Sequence, residues 1–550
     1  MHYIKQIALC AIIILLTIQS WSQIPFSEKT FGTIYNESCF SFIHTNDNGY
    51  AMLGITSSPG TGDQNIYFTK LDSNENIQWT KTYGGPGIDQ AGTIRQTLDG
   101  GYIICGNQYS FGAGGSDGYL IRTDSQGTMI WSRAYGLPLD DVLWRLELTS
   151  DSNYIAMGTT FSSGTNSGDI LVVKVNDGGD TLWTRIIGGP VYDAGINLTP
   201  ADDGGCVIVG RVYSFGAGLR DVMLSRIDGN GNVLWLKTYG GTGTEEGMAV
   251  AHTSDNGYII TGATESFSNN TYYDVYMVKT DSAGNMIWSR AYGGDNIDAT
   301  YCVTEAPDGG YVVAGFTDSW AYLHLLTNNQ ASPLGDDSSH VFLMKVSILG
   351  DTVWTRAFGG AKQDEAYALI NDPDGGYFTA AYSASFSGND SVDAYIIHSD
   401  SLGMSDCHTF VIHPHVNNPN TIENSYIPPV SAGLTVTNAA TVEDTVTFIS
   451  SDPCIVISVE ENNNVQKPGI IFPNPFSNSA TIQLSENTNS LLTLTIRDVL
   501  GKTVRTENVY PSNSEIKIER KNLPDGIYFV QINSIEKNIF TGKIILSSKF

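Results

Sequence analysis

Positively charged residues are scarce in this sequence. Its 550 residues include 29 Lys and Arg against 57 Asp and Glu, which gives a formal net charge of −28 and a pI of about 4.5. Such a surface repels phosphate backbones and anionic lipid head groups, so nucleic acid and anionic membranes are excluded as partners. The acidic oxygens suit a hard cation such as calcium, but solubility alone accounts for the charge equally well.

Long hydrophobic runs are also missing. The apolar run at Ile7–Ile18 is too short to span a bilayer comfortably. Lys5 precedes this run and Ser20-Trp21-Ser22 follows it, which is the pattern of a secretory signal peptide. We therefore expect residues 1–22 to be a signal peptide that is cleaved before Gln23, and no transmembrane segment in the mature chain.

Cysteine is rare, with seven residues, and Cys10 lies in the signal segment. Four others fall within strand-like segments and are expected to be buried small hydrophobic side chains, namely Cys39, Cys105, Cys206 and Cys302. Cys407 and Cys454 form the only plausible disulfide pair, although spacing alone does not prove it.

The common catalytic and cofactor motifs are absent from the sequence. It has no Gly-x-Ser-x-Gly, no His-Glu-x-x-His, no P-loop and no Gly-x-Gly-x-x-Gly between a strand and a helix. We therefore predict no catalytic residue, no cofactor and no metal ligand, with calcium as the one cation left open. These absences favour a binding protein over an enzyme without excluding an enzyme.

What the sequence has in abundance is repetition. Asp-Gly-Gly or a close variant recurs every 52 or 53 residues through six copies, and the seventh copy follows 66 residues after the sixth. The copies begin at Asp47, Asp99, Asp151, Asp203, Asp255, Asp308 and Asp374. A period of about 20–50 residues is typical of repeated supersecondary units.

Each unit predicts four short strands joined by turns rich in Gly and Asp. Four antiparallel strands in about 50 residues are the content of one propeller blade. The seventh unit, from Asp364, lacks a fourth strand, and residues 26–31 match the end of one. We therefore predict an all-β chain with a seven-bladed β-propeller over residues 23–403, whose ring is closed by the N-terminal strand.

An Asp-x-x-Gly-x-x-x-Trp segment, as at Asp124–Trp131, ends most units. It resembles the tryptophan-containing repeats of quinoprotein-like propellers and, with one extra residue, the Asp-box of sialidase propellers. In both families this element is structural, so the resemblance implies the fold and no catalytic role. The whole array resembles repeat propellers of exported Bacteroidetes proteins.

Acidic residues open the first strand of every unit, at Glu37, Asp89, Asp141, Asp193, Glu245, Asp298 and Asp364. If the Trp strand is outermost, these carboxylates lie at one mouth of the central channel. They either bind a cation or a polar ligand, or accept backbone N–H bonds in the turns between units. Repetition in every unit favours the structural role, because a ligand site usually breaks symmetry.

A second column opens the third strand, at Asn65, Asp117, Asp169, Asp221, Asp274, His340 and Asp393. Five residues later stand Lys70, Arg122, Lys174, Arg226, Lys279, Lys345 and His398. We interpret these two columns as turn-capping acids and exposed strand cations.

One loop departs from the repeat. The interval from Tyr311 to His340 in unit six is 13 residues longer than the interval from Tyr258 to Asp274 in unit five. The longer loop carries Trp320 and Tyr322, and the loop of unit five carries Tyr272 and Tyr273. These four aromatic residues either form a ligand-binding surface, where rings stack on sugars or anchor a protein, or fold back and become buried.

After residue 403 the period is lost. Residues 404–469 are rich in Asn, Pro, Ser and Thr, with one alternating run at Leu434–Ile449, and we expect a partly ordered connector with the Cys407–Cys454 disulfide as an option. Residues 470–550 contain strand-like runs at 480–484, 492–498, 515–518, 526–532 and 540–546, which suit a small Ig-like β-sandwich.

The last segment also carries ordered motifs. They are Pro473-Asn474-Pro475-Phe476, Leu494–Lys502 with Gly501, Leu523–Tyr528 with Gly526, and Gly542-Lys543-Ile544. Together they closely resemble the type A C-terminal sorting domain of the type IX secretion system. The resemblance implies export to the periplasm, recognition of residues 470–550 by the type IX machinery, and release or attachment at the cell surface.

These observations leave three functions open. The sequence favours a secreted or surface propeller that binds a glycan or a protein. The alternative is a propeller enzyme, either polysaccharide-active or a quinoprotein-like oxidoreductase. A purely structural surface component is the third.

Overall fold

The computed structural model describes residues 26–546 except 59–62, 163–166, 270, 320–338, 374, 388–390, 406–407, 427–429, 432–434, 439–441, 446–448, 452–469, 473–475, 485–490, 499–501, 512–513, 525 and 535–537. The chain divides into two compact units, Met1–Ile455 and Val456–Phe550. Every regular element in the described part is a β-strand, which confirms the all-β prediction. No helix able to span a membrane occurs among the described residues.

The first unit contains seven sheets that repeat one antiparallel order of four strands. The first strands are β2 (Glu37–His44), β6 (Asp89–Gln96), β10 (Asp141–Leu148), β14 (Asp193–Pro200), β18 (Glu245–His252), β22 (Asp298–Glu305) and β26 (Asp364–Asp372). The second strands are β3 (Tyr50–Thr56), β7 (Tyr102–Gln108), β11 (Tyr154–Thr160), β15 (Cys206–Val212), β19 (Tyr258–Thr264), β23 (Tyr311–Thr317) and β27 (Gly376–Ser383). We number the sheets 1 to 7 in this order.

The third and fourth strands complete each sheet. The third strands are β4 (Asn65–Leu71), β8 (Asp117–Thr123), β12 (Asp169–Val175), β16 (Asp221–Ile227), β20 (Asp274–Thr280), β24 (His340–Val346) and β28 (Asp393–Asp400). The fourth strands are β5 (Ile77–Gly84), β9 (Met129–Gly136), β13 (Thr181–Ile187), β17 (Val233–Gly240), β21 (Met286–Gly293), β25 (Thr352–Phe358) and, for sheet 7, the N-terminal β1 (Glu28–Gly32). The N-terminal strand thus pairs with β28, the strand beside which the sequence predicted it.

Adjacent sheets share their hydrophobic cores. One cluster of buried side chains joins sheets 1 and 2, another joins sheets 2 and 3, and so on to a seventh cluster that joins sheet 7 back to sheet 1. The second and third strands supply most of these residues, because side chains on both of their faces are buried. Cys39, Cys105, Cys206 and Cys302 lie in these clusters as free buried thiols, as predicted.

A fifth strand covers the outer edge of every fourth strand. The strands come from residues 409–451, which we call the belt: β29 (Thr409–Val411), β30 (His415–Asn417), β31 (Ile422–Tyr426), β32 (Val430–Ser431), β33 (Thr435–Asn438), β34 (Val442–Thr445) and β35 (Ile449–Ser451). They pair in turn with sheets 6, 5, 4, 3, 2, 1 and 7. An open sheet edge leaves backbone N–H and C=O groups unpaired, and the belt covers all seven edges.

The belt differs from the connector expected from the sequence, where only one strand-like run was evident. Its strands are two to five residues long. Strands this short are too brief to show a recognisable alternation of apolar and polar side chains, so the sequence does not reveal them. Side chains add anchors in its first half. Glu423 pairs with Lys237 and accepts the Met286 N–H at 2.8 Å, and Ile412 is buried in the core between sheets 5 and 6.

The strand cations are buried, so the expectation of exposed cations is wrong. Lys70, Arg122, Lys174, Arg226 and Lys279 bind the aspartate of the Asp-Gly turn in their own sheet at 2.6 to 2.9 Å. Hydrogen bonds from Thr97, Gly101 and Arg122 together outweigh burial and lower the pKa of Asp99 to about 2. The repeated aspartate therefore neutralises a buried cation and fixes the turn between the first and second strands.

The second unit has two sheets. They are β36 (Ile470–Phe472), β37 (Ser479–Gln483) and β40 (Glu515–Glu519) in one, and β39 (Thr503–Val509), β38 (Leu492–Asp498), β41 (Gly526–Asn533) and β42 (Asn538–Leu546) in the other. Both sheets contribute to one hydrophobic core, in which Leu494, Ile496 and Val530 are fully buried. The sequence predicted five of these strands and missed β36 and β39.

Removing the belt tests its role in the first unit. We expect a chain of residues 23–404 to melt on the order of 10 °C below a chain of residues 23–455, because seven sheet edges lose their backbone partners. The shorter chain should also self-associate through those edges. Calorimetry and size-exclusion chromatography measure both effects, and equal melting of two monomeric chains would contradict a stabilising belt.

Candidate functional site

A cavity of about 430 Å³ lies where the seven first strands meet, and we call it the central cavity. All seven first strands contribute lining residues. A second cavity of about 180 Å³ shares Phe40, Arg145 and Tyr367 with it and is also lined by Trp144 and Gly92. Cavities of a few hundred cubic ångströms are the usual size of small-ligand sites.

A β-bulge shapes the lining. In six first strands the pairing register shifts at the fourth residue, and in sheet 2 the irregular part covers Gly92 and Thr93. The bulged residues include Phe40, Tyr301 and Tyr367, which line the cavity. In sheets 1 to 6 a second-strand glycine lies opposite the bulge and the backbones approach closely: a Cβ on Gly54 would lie 1.7 Å from the Ser38 carbonyl oxygen. Sheet 7 has the same bulge with Ala381 at this position, so glycine eases the close approach without being required for the bulge.

Aromatic rings form one wall of the central cavity. Tyr301 and Tyr367 stack with centroids 4.9 Å apart and planes 9° from parallel, and Tyr382 stacks on Tyr367 at 5.9 Å. Phe40 meets the edge of Tyr367 at 5.4 Å. Burial raises the pKa of Tyr301, Tyr367 and Tyr382, so their hydroxyls stay protonated. Phe316 stacks on Tyr301 as well, so the faces of Tyr301 and Tyr367 are occupied by other rings and the cavity meets mainly their edges. The Tyr367 hydroxyl donates a hydrogen bond to Glu365 at 2.9 Å.

Charged groups in the cavity come from sheets 2 and 3. Arg95 binds both carboxylate oxygens of Glu147, with Nε 2.7 Å from Oε2. Arg145 stands two residues before Glu147 on β10 and makes no hydrogen bond or ion pair within the described part of the chain. Burial raises the pKa of the nearby Cys302 thiol to about 12, so this cysteine is protonated and not a nucleophile.

The seven acids that open the first strands are fully buried. Each accepts a hydrogen bond from the backbone N–H four residues earlier, at 2.6 to 2.9 Å. Their carboxylates are therefore held in the turns that enter the first strands, and a soluble ligand has no access to them. Among the described residues, no group of three or more His, Cys, Asp or Glu side chains is arranged to hold a metal ion.

Carboxylates from adjacent sheets face each other beside these turns. The charge interactions join Asp117 with Asp141, Asp221 with Glu245, Asp274 with Asp298, and Asp393 with Glu37. A Cβ on Gly240 would lie 1.8 Å from Asp221 Oδ1 and 2.7 Å from Glu245 Oε2, so only glycine fits between the two acids. Burial, with the neighbouring carboxylate, raises the pKa of Asp274 to about 7. Such a pair holds one proton at neutral pH.

The predicted loop aromatics divide into two groups. Trp320 and Tyr322 lie outside the described residues. Tyr272 is 46 % exposed, whereas Tyr273 is partly buried and its hydroxyl accepts a hydrogen bond from Arg220 at 3.2 Å. Tyr272 is therefore exposed at the end of the sheets where the acids lie, and its ligand role stays a prediction.

Other predicted residues are placed only in part. Cys407 and Cys454 lie outside the described residues, as do Pro473, Asn474, Pro475 and Gly501 of the sorting motif. Gly526 begins β41, Tyr528 is buried in the core of the second unit, and Lys543 is exposed on β42. Tyr528 donates its hydroxyl proton to the Pro524 carbonyl at 3.1 Å, which ties the Leu523–Tyr528 motif into one turn.

The sequence analysis missed the cavity arginine. Arg145 occupies the fifth position of its first strand, where the other units have Ser41, Thr93, Asn197, Ala249, Cys302 and Ala368. An alignment of the seven first strands could have singled it out, because it shows one large cation at a position where the other units have small or uncharged residues. Nothing in the sequence alone states that this position faces a cavity.

Comparison with known proteins identifies the tail. Residues 470–547 match the secretion system C-terminal sorting domain family. No curated protein matches the chain. Among solved structures, Sqt1 from Chaetomium thermophilum has 9 % sequence identity and a TM-score of 0.38, with 68 % of this chain and 99 % of that chain covered. The extracellular domain of a putative hybrid two-component system from B. thetaiotaomicron has 11 % identity and a TM-score of 0.16, with 92 % and 74 % covered.

The sorting-domain match confirms the predicted export route. The protein is secreted through the type IX system to the cell surface or the extracellular space, and residues 470–547 are the part that the secretion machinery recognises. The type A class and a Bacteroidetes source stay predictions.

The facing acids predict an unusual pH dependence. The pKa of Asp274 is about 7 in the folded state against about 3.9 when unfolded, so between pH 4 and 7 the folded state binds more protons and stability falls as pH rises. We expect Asp274→Asn to stabilise the protein at pH 8 by about 2–4 kcal/mol and to change little at pH 4.5. Asn65 holds the equivalent position in sheet 1, so the amide fits this environment.

Thermal unfolding of both proteins across pH 4 to 8 measures this effect. The surface substitution Asp202→Asn is the control for loss of one negative charge. Destabilisation of the Asp274→Asn protein at pH 8 would contradict a shared proton and would mean that the two charges are compensated by another group.

Deleting residues 470–550 tests the export assignment in the native host. We expect the truncated chain to keep a folded first unit and to accumulate in the periplasm, because its recognition domain is gone. Immunoblots of periplasm, cell surface and medium, with the full-length chain as reference, measure the distribution. Normal extracellular yield of the truncated chain would refute the assignment.

Proposed function

We propose that the first unit is a seven-bladed β-propeller that acts, after export, as a binding module for a glycan or a protein. Three observations support the fold: the seven repeated sheets, the shared cores that return from sheet 7 to sheet 1, and the pairing of β1 with β28. The second unit, with its two sheets around one core, is proposed to be Ig-like.

The observation that carries the binding function is where the repeat breaks its symmetry. The acid column, the buried cations and the Trp strands recur from sheet to sheet and hold the units together. Inside the central cavity the fourth and fifth positions vary from unit to unit and bring together aromatic rings and unequal charges. Residues that only maintain a repeat tend to be uniform, so we assign ligand binding to this cavity.

The loop aromatics that the sequence predicted form a second, separate candidate surface. Tyr272 and the predicted contacts Trp320, Tyr322 and Tyr273 belong to the loops between second and third strands of sheets 5 and 6. These loops leave the sheets at the end where the first strands begin. The residues that line the central cavity occupy the fourth to eighth positions of the first strands, so these loops lie towards the opposite end of the sheets from the cavity.

A binding screen of the full-length protein against glycans, polysaccharides and extracellular proteins tests the proposal. We expect Tyr367→Ala to weaken binding of any hit by about tenfold, because an edge-to-face aromatic contact is worth roughly 1 kcal/mol, and Tyr367→Phe to retain most of it. Melting temperatures verify that both variants are folded. Equal binding by the wild-type and folded Tyr367→Ala proteins would exclude the central cavity as the site.

A further inference from the structure

The central cavity contains a cation that the fold does not neutralise. Arg95 and Glu147 neutralise each other through a two-pronged contact. Arg145 has no such partner among the described residues, although it lines both cavities. Elsewhere in the first unit, each buried strand cation from Lys70 to Lys345 is paired with an aspartate or, for Lys237, with Glu423. Arg145 is the exception to this pattern.

The surroundings of Arg145 give it little compensation. Burial lowers the pKa of its guanidinium. Cys302 on β22 of sheet 6 also lines the central cavity, but its protonated thiol carries no charge that could compensate the arginine. Arg145 is half-buried, so the lack of an ion-pair partner costs free energy, though less than full burial would, and an anion in the cavity would remove this cost.

Resting on the binding function proposed above, we propose that the central cavity is a site for a small monocarboxylate that carries a ring. The carboxylate would receive two N–H donors from Arg145, since a guanidinium fork matches the planar carboxylate group. The ring would lie against the wall of Tyr301 and Tyr367. A volume of about 430 Å³ admits one or two rings and no folded partner.

The charges that line the cavity set an upper limit on the ligand's charge, and Glu365, hydrogen-bonded to Tyr367 just behind the lining, lowers this limit further. Arg95, Arg145 and Glu147 give the lining one net positive charge, counting the histidines as neutral. The protein as a whole carries −28, which repels polyanions approaching from solution. A single carboxylate fits this balance, and a densely charged polymer does not.

The experiment uses four probes on the full-length protein. Benzoate and glucuronate carry a carboxylate on an aromatic and on a sugar ring, and benzamide and glucose are their neutral counterparts. Isothermal titration and thermal shift are measured for the wild-type protein, Arg145→Met and Arg95→Met. Met fills a similar volume without charge in both variants.

We expect one of the two carboxylates to bind the wild-type protein and its neutral counterpart to bind at least about tenfold more weakly. Arg145→Met should abolish this preference. In the absence of probe, Arg145→Met should melt at the same temperature as wild type or about 1–2 °C higher, whereas Arg95→Met should melt lower because Glu147 loses its partner. Binding of benzoate alone assigns an aromatic acid, and binding of glucuronate alone assigns a sugar acid.

Three results would overturn the inference. If Arg145→Met melts lower, as Arg95→Met does, the arginine is structural. If the neutral probes bind as well as the acids and Arg145→Met changes nothing, the cavity binds a ligand without a carboxylate, and the proposed binding function survives alone. If no probe binds, the inference falls, and the polymer and protein screen decides the binding function separately.

Discussion

No sheet of the first unit buries its faces alone, and this dependence on neighbours organises the whole chain. Each core cluster is built from two adjacent sheets, so a sheet at the end of an open row would leave one face in water. The chain avoids such an end by returning its N-terminal strand to the last sheet, where β1 pairs with β28. Burial across seven interfaces therefore depends on joining residues that are more than 350 positions apart.

The belt extends this dependence to the sheet edges. It follows the ring in the direction opposite to the chain's own order, and it can dock only on sheets that are already formed. Glu28 links the two closing events, because this fully buried carboxylate accepts the Tyr395 hydroxyl proton at 2.5 Å and also contacts Ser405 and His408. Ring closure and the residues that lead into the belt thus share one buried acid.

The features that recur in every unit could be predicted from the sequence, whereas those that depend on single positions could not. The period and the Trp strands predicted four of the five strands of each sheet, and ordered motifs predicted the sorting domain. The belt strands were not predicted because they are held mainly by backbone hydrogen bonds, which require no particular side-chain pattern. The strand β39 was not predicted because its residues are largely exposed and polar. The buried cations were misplaced for a different reason: a lysine beside a turn looks solvated until its aspartate partner is placed in space.

The candidate site shows the same limit. The repeat placed seven acids at a predicted channel mouth, and the structure buries all of them in turns. The residues that line the cavity differ between units, so no recurring pattern marked them, and Arg145 became recognisable only when its lack of a partner was seen in three dimensions. The residues that recur in every unit build the scaffold, and the cavity residues that differ between units are the ones to which we assign the proposed function.

A crystal structure of the full-length protein soaked with the carboxylate that it binds most tightly tests the central claim most directly. The account predicts density for the carboxylate beside the Arg145 guanidinium and for the ring against Tyr367, with the Arg95–Glu147 pair unchanged. Density elsewhere, or an Arg145 side chain paired with a carboxylate of the protein itself and an empty cavity, would contradict it.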